Sequence, residues 1–180
     1  MVLDANVSGV REAEPRDAMA CAGVHVRSWK VTYRGMVPDA YLDTLETEDR
    51  VPAWEDWLSE PKTRGCILVI EAQGRIEGFG SFVGHARLGP DWSFVPNIYL
   101  EPAAIGRGHG RELMRCGLER LVGFGYDQAE LWVHPENRRA RRFYEVGGWV
   151  TDGTARTESV WGVDVPELRY TRRLNVEEPS

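Results

Sequence analysis

No stretch of this chain is long and apolar enough to cross a bilayer. Its most hydrophobic run, Cys66-Ile-Leu-Val-Ile70, is a small part of the roughly 20 residues a membrane helix needs. The opening residues Met-Val-Leu-Asp-Ala-Asn-Val-Ser lack the basic segment and apolar core of an export signal, so a cytoplasmic location is expected. Cysteine is scarce: Cys21, Cys66 and Cys116 are odd in number and widely spaced, which argues against a disulfide framework. No Cys/His pair has zinc spacing, so no metal is expected. Positive charge does not dominate. With 22 Lys and Arg against 28 Asp and Glu, the net charge of −6 offers no overall footprint for nucleic acid or an acidic membrane. Internal repeats and low-complexity tracts are missing too.

The 180 residues, 42% of them hydrophobic, suffice for one substantial core. A single domain over 1–174 is expected, followed by a polar tail, Asn175-Val-Glu-Glu-Pro-Ser180, that is loosely ordered. The pattern begins with a strand at 8–13. A helix follows Pro15, with Ala18, Ala22, Val26, Trp29 and Tyr33 at helical spacing. Beyond Gly35 and Pro38, Tyr41, Leu42, Leu45, Trp54, Trp57 and Leu58 mark a second helical stretch, interrupted near Val51-Pro52 and paired with the first as a hairpin. Residues 66–72 and 75–85 read as strands joined by a turn at Gln73-Gly74. Strand four at 93–101, a glycine-rich turn, a helix over 108–124 and strand five at 128–134 make a βαβ unit. A last helix over 138–147 and strands near 148–153 and 164–174 follow, with Pro166 placing the final strand's beginning at an edge or bulge.

The glycine-rich turn, Ile105-Gly106-Arg107-Gly108-His109-Gly110-Arg111, is the most informative segment. Alternating glycines let the chain turn tightly and aim successive N–H groups at one spot, where the following helix adds its positive N-terminal dipole. That spot suits a pyrophosphate. Neither a P-loop nor the dinucleotide fingerprint is present: Arg111 falls where the third dinucleotide glycine would be, and no Lys-Ser/Thr pair follows.

With its flanks, Asn97-Ile-Tyr-Leu-Glu-Pro102 and Leu113-Met114, the segment resembles motif A of the GNAT superfamily of N-acetyltransferases. Downstream, Leu131-Trp-Val-His-Pro-Glu-Asn137-Arg-Arg-Ala140-Arg-Arg-Phe143-Tyr144-Glu-Val-Gly147-Gly148-Trp149 resembles its motif B. The two cover roughly residues 95–150. The resemblance implies a mixed α/β fold: a mostly antiparallel sheet of about six to seven strands, helices on both faces, and one parallel step between strands four and five. It also implies acetyl-CoA as cosubstrate. Its pyrophosphate would lie on Ile105, Gly106, Arg107, Gly108, His109, Gly110 and Arg111. Its pantetheine would pair with Ile98, Tyr99 and Leu100, where strands four and five splay, and touch Asn137. Tyr144 falls on the tyrosine that serves the coenzyme sulfur. Plainer roles stand beside these: Tyr144 as core packing, Asn137 as a helix cap, His109 facing solvent.

The chain departs from the pattern in places. Ile105 occupies the Gln/Arg position of motif A and His109 an aliphatic one. About Phe94 stands where many members carry a glutamate base. Candidates for the proton acceptor are His134 at the end of strand five, Asp91 just before strand four, and His85 at the end of strand three; a water-mediated route and attack by neutral amine stay open. The resemblance implies an acceptor pocket formed by the first two helices and the late strands, which would draw on Trp29, Tyr33, Met36 and Trp92. The function implied is acetyl transfer from acetyl-CoA to a primary amine of a small molecule or peptide. A silent acyl-CoA-binding sensor and a transferase of bulkier acyl groups are the alternatives, and homodimers are frequent in the family.

Overall fold

The computed structural model describes residues 9–174. The tail at 175–180 lies outside the described residues, as does Ser8 of the expected first strand. Strand β1 (Gly9–Glu12) pairs with β2 (Cys66–Ala72), and β2 with β3 (Arg75–Gly84), which pairs with β4 (Trp92–Leu100). β4 pairs with β5 (Gln128–Val133), β5 with β7 (Val163–Arg173), and β7 with the edge strand β6 (Ala155–Val160). All pairs are antiparallel except β4 with β5, which gives the seven-stranded mixed sheet the resemblance implies.

Helices cover both faces, and alternation along β2 shows why. Ile67 and Val69 face one side, where Cys21, Ala22 and Val24 of α1 (Ala18–Thr32) meet Trp54 of α3 (Val51–Ser59). Leu68 and Ile70 face the other side and pack with Leu113, Leu118 and Leu121 of α4 (His109–Gly123). Tyr144 of α5 (Arg138–Val146) and Tyr170 belong to that same layer. A short α2 (Asp39–Asp43) precedes α3. The break in the second helical stretch falls at 44–50, and Pro52 sits in α3's first turn, where its missing N–H costs nothing.

Two hairpins turn on paired left-handed residues, as two-residue turns between twisted strands require. Gln73 (φ 53°) and Gly74 (φ 71°) join β2 to β3; Trp161 (φ 53°) and Gly162 (φ 84°) join β6 to β7. The second hairpin corrects the expected strand near 148–153. There Gly148 (φ 80°) and Gly153 (φ 79°) bend the chain, leaving one bridge, Val150 to Thr171, and the strand forms instead at 155–160. Pro166 lies inside β7 opposite Thr157, on a stretch that β5 does not reach, so its missing donor is needed on neither side of a full ladder.

The feature that positions the site lies in β4. Between Phe94 and Asn97 this strand takes three steps while β3 takes two, from Val83 to Ser81, so β4 bulges at Val95-Pro96. Pro96 has no N–H to give a ladder, which suits it to a bulge. On its other edge β4 pairs with β5 only from Trp92 to Phe94, opposite Gln128 to Glu130. From Val95 onward the two strands part.

The α4 layer fits so closely that Gly117 has no room for a Cβ, which would overlap the buried ring of Phe82. Gly117→Ala is therefore expected to destabilise the fold by about 1–3 kcal/mol, despite alanine's better helix propensity. Calorimetry should read this as a Tm drop of several degrees; an unchanged or higher Tm would show that the ring yields freely.

Candidate active site

Where β4 and β5 part, a cavity of about 350 Å³ opens between Val95–Leu100 on one side and Trp132, Val133 and α5 on the other. Its floor is the glycine turn. Gly106 (φ 87°) and Gly108 (φ 90°) adopt left-handed conformations, with open space where a Cβ would stand. Glycine is needed there for the backbone path, not for clearance. Gly110 differs, since a Cβ there would meet Leu100 and Phe143 at ordinary van der Waals distance, 3.4 to 3.8 Å. Gly108 caps α4 without any side-chain acceptor. Among the described residues, the N–H groups of Gly106, Gly108, His109, Gly110 and Arg111 find no backbone acceptor. Such a cluster of orphan donors at a helix start is suited to an anion.

The opposite wall carries polar side chains. Asn137 is buried; its Oδ1 accepts the Ala140 N–H at 3.1 Å, capping α5, while the residue also lines the cavity. The expected cap is thus formed by a residue that also stands on the cavity wall. Tyr144 lines the cavity as well, its ring packed 5.3 Å from Phe143 and 6.2 Å from Trp149. Its hydroxyl makes no hydrogen bond within the described chain, and burial pushes the phenol well above its ordinary range, so it stays protonated.

A second cavity of about 300 Å³ lies on the far side of β4, walled by His25, Trp29, Trp54 and Trp161. His25 stands at the centre of this aromatic set, 4.9 Å from Tyr99 and 4.4 Å from Trp161, ring centre to ring centre. The two cavities share Tyr33, Pro96, Asn97 and Tyr99, so they meet through the bulge of β4. The Tyr33 and Tyr99 hydroxyls stand 3.5 Å apart at this junction. Glu167 of β7 lines the second cavity, its Oε2 accepting from Arg156 Nε at 2.9 Å. Burial raises its pKa, partly offset by that guanidinium.

The structure sorts the residues expected from sequence. Ile98, Tyr99, Leu100, Ile105, Gly106, Gly108, Gly110, Arg111, Asn137 and Tyr144 converge on the first cavity; Trp29 and Tyr33 line the second. The side chains of Arg107 and His109 turn away from the cradle toward buried Glu77, 3.9 Å and 3.3 Å from its Oε2, and neither residue is among those lining the first cavity. His134 is buried behind the junction, its ring 6.3 Å from Tyr33 and its Nδ1 accepting the Glu136 N–H at 3.1 Å. Burial lowers its pKa, leaving it neutral at pH 7, and it lines neither cavity. Asp91 and Trp92 sit at the opposite end of β4, where that strand is still paired; Asp91 is exposed, and Trp92 lies under the Arg169 guanidinium at 5.6 Å. Met36 lines neither cavity. His85 is held by Glu130 at 3.1 Å and by the N–H groups of Arg87 and Leu88. Sequence reading missed His25, Arg50, Trp54, Trp57, Trp161 and Glu167. The available signal was Trp161-Gly162, a turn dipeptide between two polar runs.

A model of the acetyltransferase (GNAT) family matches residues 28–148. The uncharacterized N-acetyltransferase YuaI of Bacillus subtilis is 32% identical over 130 residues, which cover 71% of this chain and 72% of that protein. The PaiA N-acetyltransferase of Thermoplasma acidophilum, solved in complex with coenzyme A, is similar in fold with a TM-score of 0.69 at 19% identity, over 93% of this chain and 99% of that one. YncA of Salmonella typhimurium, solved with its cofactor acetyl-CoA, has a TM-score of 0.68 at 18% identity, over 97% and 98% of the two chains.

Because Gly108 sits at φ 90°, Gly108→Ala should force strain of about 1–2 kcal/mol into the cradle. Calorimetric titration with coenzyme A is expected to show roughly tenfold weaker binding by a variant that still melts cooperatively. Wild-type affinity would mean that the amides of this turn do not hold the ligand.

Proposed function

The chain belongs to the GNAT family of acetyltransferases, and from that membership we propose that it transfers the acetyl group of acetyl-CoA directly to a primary amine of a small molecule or peptide. The observation that carries this reading is the shared wall: a donor cavity floored by orphan amides meets an aromatic acceptor cavity through Tyr33, Pro96, Asn97 and Tyr99.

The donor cavity fits coenzyme A on its own chemistry. The N–H groups of Gly106, Gly108, His109 and Gly110 are free to bind the diphosphate. Arg111 and Arg139 line both this cavity and an adjoining groove with Arg115, Arg142 and Arg172, which suits a further phosphate. The β4 edge left by β5 offers main-chain groups to pantetheine amides, and Asn137 keeps its amide N–H₂ for the same arm. Acetyl-CoA supplies an activated acyl carbonyl. Tyr144, kept protonated by burial, is placed to donate to the departing sulfur. Main-chain N–H groups along the unpaired β4 edge can meet the developing oxyanion.

We assign the proton acceptor to Glu167 in place of His134 or Asp91. It is the carboxylate that lines the acceptor cavity, and only its Oε2 is tied to Arg156. A silent acyl-CoA-binding domain has no use for such a carboxylate across the shared wall from an unpartnered phenol, so the catalytic reading is preferred.

The test is thiol release from acetyl-CoA over a panel of amines, read against pH. Tyr144→Phe should lower kcat by about 10- to 100-fold with little change in the acetyl-CoA KM. Glu167 accepts a proton only when ionised, and burial raises its pKa above the ordinary 4.5. Wild-type kcat/KM should therefore fall as pH drops through that raised value. Glu167→Gln should lose that limb and about 100-fold in rate at pH 7. Coenzyme binding with no thiol release for any amine would favour the silent alternative.

A further inference from the structure

Among the described residues, Arg50 is the charged group of the acceptor cavity that has no counter-ion. Its guanidinium lies 3.9 Å over the ring of Trp161, and its neighbours are that indole and the neutral phenol of Tyr41. Its Nε is buried with no hydrogen-bond partner among the described residues. The other guanidinium near this wall, Arg156, is matched: it pairs with Glu167 at 2.9 Å and Glu158 at 3.6 Å. His25 adds no charge, because burial pushes its pKa down to about 3, with Arg50 acting in the same direction. Arg156 is thus shared between two carboxylates, and Arg50 is the guanidinium at this wall without an ion-pair partner among the described residues.

Resting on the acetyl-transfer reading above, we infer that the acceptor is a single free amino acid, a molecule with a carboxylate beside its amine, whose carboxylate pairs with Arg50 while the amine faces Glu167. A guanidinium fork matches a carboxylate in two parallel hydrogen bonds, and such a pair strengthens where aromatic walls exclude water. A polyamine or simple alkylamine brings only positive charge to an uncompensated guanidinium. The cavity volume, about 300 Å³, is at the low end of ligand sites and suits a single amino acid. Trp161 supports a built site as well. Its φ of 53° is costly for a bulky residue, and the turn that pays this strain puts the indole directly beneath Arg50.

The experiment compares leucine, phenylalanine and methionine with the amines each yields on decarboxylation, and with spermidine. Two readouts are used: thiol release from acetyl-CoA, and quenching of intrinsic tryptophan fluorescence in enzyme saturated with coenzyme A. The quenching reports cavity occupancy without turnover. At least one amino acid should bind about 10- to 100-fold more tightly than its decarboxylated partner, the range expected of a charge-assisted pair. Arg50→Gln should raise that amino acid's KM by a similar factor and Arg50→Lys should recover part of it, with coenzyme A affinity unchanged in both as evidence of folding. Equal or tighter binding of the decarboxylated amines or spermidine, wild-type KM in Arg50→Gln, or failure of every amino acid to bind would each overturn the inference. Efficient acetylation of carboxylate-free amines alone would sink it while leaving acetyl transfer intact. Amino-acid quenching without thiol release for any amine would support this acceptor class while counting against transfer.

Discussion

Loss of pairing between β4 and β5 after Phe94 is the constraint from which the rest of the site follows. A strand in the middle of a sheet normally satisfies its main chain on both edges, and an unmet N–H or C=O in an enclosed place costs about as much as a lost hydrogen bond. Here one edge of Val95–Leu100 faces a cavity instead of a strand. The bulge at Val95-Pro96 bends β4 at the same point. The geometry thus leaves a strand-shaped opening in a finished sheet, and a ligand with amides along its length can complete it.

Two kinds of chemistry meet across that opening. In the proposed donor cavity the work would fall to the main chain: glycines at positive φ, an uncapped helix start and an unpaired strand edge. Side chains there play supporting parts. Glu77, buried beneath the turn, draws Arg107 and His109 away from the cavity and so steadies the loop from behind. The second cavity is the reverse, an aromatic wall with two charged side chains, Arg50 and Glu167, to which the proposed reading assigns the choice of acceptor. A main-chain site can serve one invariant ligand under many sequences, whereas a side-chain site can be rewritten for another acceptor without disturbing the donor.

This division also explains what could be read from the sequence. The βαβ unit, the Gln73-Gly74 turn and the glycine cradle were legible because backbone geometry itself demands those residue types in consecutive positions. Asn137 and Tyr144 were legible through the motif that spaces them along one short helix. The acceptor cavity was not, since His25, Arg50, Trp161 and Glu167 come from four separate segments that only the folded sheet brings together. Asp91 and Trp92 lie where β4 is still paired with β5: nearness in sequence to the strand is not a place on the cavity, which opens only after Phe94. β6 escaped because its exposed, polar residues carry no apolar alternation.

Amide hydrogen exchange with and without coenzyme A tests the central claim most directly, since it reads the main-chain groups themselves. Binding should slow exchange at Ile98–Leu100 and across 106–111 together, with smaller changes on β1 and β2. Saturable coenzyme binding that leaves both segments exchanging at their free rates would contradict the account.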